Sequence, residues 1–338
     1  MALILENYSL KNLNTFRVAA TARWFMEIDT LEDLQILFQD EQWRDVPRLI
    51  LGGGSNMLFT KDYEGLVVKI NLKGINHVID GSEVLLTAGA GEVWNDVVNY
   101  AVTKGFSGME NLSLIPGSVG ASPIQNIGAY GVEIKDVFYQ CKAMDLETGL
   151  MQVFNLNDCS FSYRDSVFKS KFRGKYLITE VTYRLFTELK LNTSYGAIQV
   201  ELEKRSIYTP TVADISQVVS HIRLSKLPDP TMIGNAGSFF KNPVITSGDY
   251  GRLQAEFVDL VSFKLDESTF KLAAGWLIEQ CGWKGMVCGN TGTWKNQALV
   301  LVNHGSATGK EIFDFSHKII QSVKLKFGVV LEREVNII

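Results

Sequence analysis

Three polar residues in unusual local settings are the first candidates for chemistry. Arg164 stands in a Tyr163-Arg164-Asp165-Ser166 cluster, Ser238 follows Gly237 and precedes two phenylalanines, and Glu334 alternates with Glu332 on one face of an extended C-terminal segment. A fixed cation, a hydroxyl and a carboxyl group can together bind an anion and move a proton. Each also has a plain reading. Arg164 with Asp165 can be a surface ion pair of little worth, Ser238 a turn or helix-capping serine, and Glu334 a solvated strand residue. Spacing alone does not link the three.

Two glycine-rich runs offer a place for a ligand. Ile115–Gly131 reads IPGSVGASPIQNIGAYG, with Gly117, Gly120, Gly128 and Gly131, two prolines and almost no charge. Glycine lets backbone approach a ligand closely, and Ser118, Ser122, Gln125 and Asn126 can hydrogen-bond an extended polar molecule. A long surface loop is the alternative. Ile115, Val119, Ile124, Ile127 and Tyr130 make the run too apolar for disorder, so a ligand-wrapping loop is expected. The second run is Gly52-Gly53-Gly54-Ser55-Asn56, directly after the apolar Leu49–Leu51. Consecutive backbone N–H groups there can face a phosphate, although tight turns use the same residues. The run is not G-x-G-x-x-G and no helical pattern follows it, which disfavours a Rossmann site.

The elements that must position these residues can be read from periodicity and caps. Strands are expected at Trp24–Ile28, Leu49–Leu51, Leu66–Ile70, Val84–Ala88, Val137–Leu146, Met151–Phe154, Tyr176–Phe186, Ala298–Val302 and Val329–Ile338. Helices are expected at 31–39 behind a Thr30/Asp33 cap, then at 91–104, 212–227, 270–281 and 312–327, the last stopped by Gly328. No internal repeat or low-complexity segment interrupts them.

At 338 residues the chain is long enough for two or three domains. Its composition is that of a globular protein, with 46% hydrophobic and 21% charged residues. A net charge of −4 and a pI near 5.7 argue against a nucleic-acid-binding surface. No apolar run reaches the ~18 residues of a membrane span. The N-terminal MALILENYSLKN lacks the basic start of a secretory signal. Cys141, Cys159, Cys281 and Cys288 have no C-x-x-C spacing, and His77, His221, His304 and His317 are scattered. No metal site or disulfide framework is expected, and the reading is a reduced, cytoplasmic protein.

Seven motifs carry a resemblance. LGGGSNMLF (51–59), IPGSVGASPIQNIGAYG (115–131), SYRDSVFK (162–169), SKLPDP (225–230), GNAGSFFKNP (234–243), LAAGWLIEQCGWKG (272–285) and LEREV (331–335) together closely resemble the UDP-N-acetylenolpyruvoylglucosamine reductase family. Asn14-Thr15-Phe16 also looks like that family, whereas Asn336 stands where its members usually carry a basic residue. The resemblance implies an α+β chain with a vanillyl-alcohol-oxidase/PCMH-like FAD-binding fold of two α+β subdomains, plus a third α+β substrate-binding domain. Residues 1–65 with 311–338 would form the first subdomain, 66–205 the second and 206–310 the substrate-binding domain.

The same resemblance implies non-covalent FAD, cradled by Gly52, Gly53, Gly54, Ser55, Asn56, Met57 and Leu58. Gly117, Ser118, Gly120, Ala121, Ser122, Gln125, Asn126, Gly128, Ala129, Tyr130 and Gly131 would complete that cradle. NADPH would be the co-substrate. The implied reaction reduces the enolpyruvyl ether of UDP-N-acetylglucosamine to UDP-N-acetylmuramate, in peptidoglycan precursor synthesis. Arg164 and Glu334 would serve as cation and acid near the substrate carboxylate, with Ser238 as proton donor. Tyr195, in a substrate-capping Ser194-Tyr195-Gly196 loop, would hold the nucleotide diphosphate together with Lys226, Asn242 and Gln297. The expected partners are small molecules, with no nucleic acid, no membrane insertion and a monomeric working form. A flavin oxidase or dehydrogenase of the same FAD fold is the alternative. It has no use for GNAGSFFKNP or LEREV. A non-catalytic nucleotide-sugar or flavin binder ranks last, because Arg164, Ser238 and Glu334 are all present.

Overall fold

The computed structural model describes residues 3–338, which divide into two compact units. The first comprises 3–8, 22–53 and 64–223; the second comprises 9–21, 54–63 and 224–338.

In the first unit a four-stranded sheet runs in the order Ile4–Ser9, Thr21–Ile28, Tyr63–Ile70, Arg48–Leu51. Helix α1 (Leu31–Gln39) buries Leu34 and Leu37 in a core with Met26, Ile28, Leu66 and Val68. Its start is set as expected, by Thr30 accepting the Asp33 N–H at 3.1 Å. A second sheet is fully antiparallel, in the order Met151–Asn155, Phe138–Asp145, Tyr176–Phe186, Glu83–Gly89, Ile75–Asp80. In Glu83–Gly89 the strand alternation sends Val84, Leu86 and Ala88 to one face. There they meet Trp94, Val97, Val98 and Ala101 of α2 (Trp94–Thr103), spaced for one side of a helix. Each such buried aliphatic side chain contributes roughly 1.5–3 kcal/mol. Two further helices, α3 (Gly196–Lys204) and α4 (Val212–Lys226), pack Ile198 and Leu202 against Ile215, Val218, Val219 and Ile222. Only the last three residues of α4 belong to the second unit.

The second unit holds a sheet in the order Gly234–Ser238, Gln297–Asn303, Thr291–Trp294, Val287–Cys288. A smaller sheet orders Val244–Thr246, Thr269–Leu272, Ser262–Lys264 beside α5 (Ser247–Glu256). Helices α6 (Ala274–Gln280) and α7 (Gly309–Phe327) complete the unit. Helix α7 starts in a Thr308/Glu311 capping box and ends at Gly328 with φ 71°. Met57–Leu58 runs parallel to Asn336–Ile337.

Two expectations need correction. Residues 269–272 are a strand, not the first turn of a helix, because Phe270 stacks on Tyr250 with centroids 3.8 Å apart and the segment pairs on both edges. The expected strand 329–338 is reduced to a bridge at Arg333 and the short Asn336–Ile337. Residues 311–338 group with 224–310, while 22–53 group with 64–223. No helix among the described residues is long and apolar enough to cross a membrane.

Candidate active site

In the first unit the two glycine-rich runs lie against each other. A β-carbon on Gly52 would stand 2.3 Å from Ser118 Oγ, and one on Gly53 would stand 3.0 Å from Gly117 Cα. Only glycine permits that approach. The start of α2 holds the second run in place. Gly117 and Glu92 carbonyls accept from Trp94 and Val119 N–H, and Gly120 donates to the Ala90 carbonyl. The indole N–H of buried Trp94 donates to the Leu112 carbonyl at 2.9 Å, anchoring the chain just upstream. Among the described residues, the N–H groups of Gly52, Gly53, Gly117 and Ser118 donate to no protein acceptor. Adjacent unpaired N–H groups in tight turns form a cradle for a diphosphate. The pyrophosphate of FAD fits that donor set.

Not every residue expected at the cofactor offers its side chain. Asn126 is fully buried; its Nδ2 donates to Glu133 Oε2 and to the Ser162 carbonyl, each at 3.0 Å, and its Oδ1 accepts the Lys135 N–H at 3.0 Å. Ser122 Oγ is paired with the Tyr183 hydroxyl at 2.8 Å, and Leu58 is a core residue. These three side chains build the framework and leave only backbone for a ligand. Asn56 Nδ2 donates to the Glu334 carbonyl at 3.3 Å.

Arg164 sits in the tight turn Ser162–Asp165 with φ 56°, a left-handed conformation that costs a non-glycine residue about 1–2 kcal/mol. Three contacts hold it there. Its Nη2 donates to the Gly128 carbonyl at 3.1 Å, Lys169 Nζ donates to the Arg164 carbonyl at 3.1 Å, and Ser166 Oγ donates to the Ile124 carbonyl at 2.7 Å. Beside it lies Arg223, which motif reading missed. Burial lowers the Arg223 pKa, with Tyr130 opposing that shift and Arg164 adding to it. Arg223 has no carboxylate within salt-bridge reach among the described residues. Burial also raises the Tyr130 hydroxyl, against the pull of Arg223. Tyr195 meets Tyr130 edge-on with centroids 5.3 Å apart. Buried Asn111 couples their two loops by donating to the carbonyls of Tyr130 (3.0 Å) and Asn192 (2.8 Å). The signal for Arg223 was its place three residues before Lys226, one turn away on the same helix.

In the second unit the structure brings Ser238 and Glu334 onto adjacent chain segments. The Glu334 N–H donates to the Phe239 carbonyl at 2.8 Å, and Lys241 N–H donates to the Glu332 carbonyl at 2.9 Å. Phe240 and Arg333 therefore face each other directly, and Glu332 and Glu334 share the opposite face, where Lys241 pairs with Glu332. Buried Asn235, also missed, accepts the Gly237 N–H at 3.0 Å and fixes the turn before Ser238. Gly237 has φ 68°, so this turn suits glycine.

Asn242 and Gln297 lie at the start of α6, and Lys226 is the last residue of α4. Asn242 Oδ1 accepts the Ala274 N–H at 2.9 Å. A β-carbon on Gly275 would stand 2.8 Å from Gln297 Oε1. Asn296 Nδ2 donates to the Ser225 carbonyl at 3.0 Å, which brings the Gln297 hairpin to the end of α4 beside exposed Lys226. At the chain's end, Asn336 donates to the Asn56 carbonyl through both N–H and Nδ2.

Known proteins resemble this chain along most of its length. Residues 22–155 match an FAD binding domain, and 229–338 match the UDP-N-acetylenolpyruvoylglucosamine reductase C-terminal domain. The UDP-N-acetylenolpyruvoylglucosamine reductase of Flavobacterium johnsoniae is 45% identical over 337 residues, 99% of each chain. That of Chromobacterium violaceum is 47% identical over 96% of each chain. The crystal structure of UDP-N-acetylenolpyruvylglucosamine reductase from Thermus caldophilus superposes with TM-score 0.67 at 20% identity, covering 100% of this chain and 98% of that one, and shows the same fold. With facing glycine turns suited to a diphosphate and relatives this close along their whole length, the chain belongs to the UDP-N-acetylenolpyruvoylglucosamine reductase family.

Proposed function

We propose that this chain reduces UDP-N-acetylglucosamine enolpyruvate to UDP-N-acetylmuramate with NADPH and FAD. The near-complete coverage of reductases at 44–47% identity carries that reading. These relatives favour it over a flavin oxidase. The N–H groups of Gly52, Gly53, Gly117 and Ser118 would hold FAD, which when bound would supply hydride-transfer chemistry between NADPH and the enolpyruvyl ether. The protein's own groups handle charge and the proton. As hydride arrives, negative charge builds on the substrate carboxylate. Arg164 is the cation we assign there, and its fixed turn means that little reorganisation accompanies the reaction. Arg223 adds positive field to the same face of the first unit. Ser238 Oγ gives its proton to the α-carbon, and Glu334 is the acid supporting that transfer.

Tyr195, Lys226, Asn242 and Gln297 are assigned to the nucleotide diphosphate. A lysine suits that anion as a mobile point charge. We also propose a cytoplasmic, monomeric working form, which size-exclusion chromatography of the purified protein tests. For the reaction, the experiment is anaerobic. NADPH should bleach the yellow protein, and the enolpyruvyl nucleotide should restore its colour with product formed. Rapid reoxidation by air with no response to that nucleotide would instead establish an oxidase.

A further inference from the structure

Arg333 is an expensive residue where it stands. Its Nε donates to Ser316 Oγ at 2.8 Å, and its guanidinium lies 4.3 Å from the Phe313 ring centroid. Ser316 is fully buried and passes its own proton to the Phe313 carbonyl at 2.6 Å. Arg333 Nη2 is buried with no hydrogen-bond partner among the described residues. Glu332 and Glu334 flank it in sequence, yet the pleat sends both to the other face. A methionine would pack here without desolvating a charge, so stability alone does not explain an arginine.

Geometry does. The segment 331–335 lacks a continuous ladder: it is tied to its neighbours by the bridge at Phe240/Arg333, the two hydrogen bonds around it and the Asn56 Nδ2 bond to the Glu334 carbonyl. A side chain rooted in α7 adds a constraint on one face while Glu334 projects from the other. We infer that Arg333 is a positioning residue, locking this segment to α7 through Ser316 and Phe313 so that Glu334 keeps one fixed placement beside the Phe239 backbone that follows Ser238. The inference rests on the reaction roles proposed above for Ser238 and Glu334.

The test uses the flavin-loaded enzyme and separates its half-reactions by stopped flow. Arg333→Met should keep its flavin and be reduced by NADPH at the normal rate. Its reoxidation by the enolpyruvyl nucleotide should slow about 10- to 100-fold, the penalty of a misplaced reacting group, with KM for that nucleotide little changed. Arg333→Lys keeps a cation over Phe313 within reach of Ser316 and should recover most of the rate. Ser316→Ala should slow the same step, and combining it with Arg333→Met should add nothing further. Hydrogen exchange gives a reading independent of turnover: the Glu334 and Lys241 amides should exchange faster in Arg333→Met, while those of α7 do not. Glu334→Gln is the control. If Glu334→Gln is slow but Arg333→Met and Ser316→Ala are reoxidised at the wild-type rate, the positioning role is overturned. If Glu334→Gln itself is fast, the proposed role of Glu334 falls first. Should Arg333→Met fail to fold, Arg333→Lys and Ser316→Ala decide by the same rates.

Discussion

Replacing Asn126 by alanine should damage the protein through its framework, not through lost ligand contacts. Three hydrogen bonds of 3.0 Å disappear, and two of the abandoned partners are backbone groups, the Ser162 carbonyl and the Lys135 N–H. Both partners belong to exposed residues that water can reach, so each group left unpaired costs the low end of the usual range, about 1 kcal/mol. Glu133 suffers less, because Lys135 Nζ remains 2.9 Å from its carboxylate. Asn126 also has φ 46°, which asparagine tolerates better than alanine, adding on the order of 1 kcal/mol. The expected loss is about 3 kcal/mol, a large part of the ~5–15 kcal/mol that holds a typical protein together. Urea unfolding of the flavin-loaded protein, followed by tryptophan fluorescence, measures it. Asn126→Gly forfeits the same bonds without left-handed strain and should be the more stable of the two variants. A loss below about 1 kcal/mol for Asn126→Ala would refute the claim that these bonds fix the loop. Because the Ser162 carbonyl belongs to the Arg164 turn, the substrate half-reaction should slow in both variants as well.

Other outcomes follow from the same geometry. Gly53→Ala places a β-carbon 3.0 Å from the Gly117 backbone, so the turns must part. Flavin retention on gel filtration should fall about tenfold or more, an effect of roughly 1.4 kcal/mol, and full retention would contradict the cradle. Ser238→Ala should stay yellow and reducible by NADPH yet form no product; normal reoxidation by substrate would exclude it as proton donor. Burial raises the pKa of Glu110, an effect its bond from the Gly108 N–H only partly opposes. A carboxyl raised in the folded state carries no ionisation cost below its unfolded pKa, about 4.3, and a growing one as pH rises through the folded value. Glu110→Gln should therefore gain stability relative to the parent as pH rises above about 4.3, and a pH-independent difference in urea midpoints would rule this out.

Much of this architecture could be read from residue order. Thr30 and Asp33 announced the start of α1, and Gly328 the end of α7, because caps are local chemistry. The glycine runs likewise announced themselves as turns. What stayed hidden depends on partners far along the chain. Phe270 looked helical until Tyr250 and two flanking strands claimed it. Asn126 and Ser122 looked like ligand residues because nothing local reveals that Ser162 and Tyr183 use their polar atoms. Arg223 carried no signal beyond one turn's distance from Lys226, and its proximity to Arg164 exists only in the fold. Arg333 was hidden inside the motif that drew attention to Glu334.

The parallel pairing of Met57–Leu58 with Asn336–Ile337 joins segments some 280 residues apart, and the Asn56–Glu334 contact closes at the same place. A ribosome delivers the first partner long before the second. The stretch 54–63 must wait, unpaired on that edge, while the residues of the first unit emerge and collapse. Closing so long a loop adds only about 0.6 kcal/mol per doubling of length, so the delay is one of timing more than of energy. Glu334 thus joins the growing chain some 280 residues after the turn that receives it, and a product truncated before residue 331 would keep both glycine runs and lack the proposed acid.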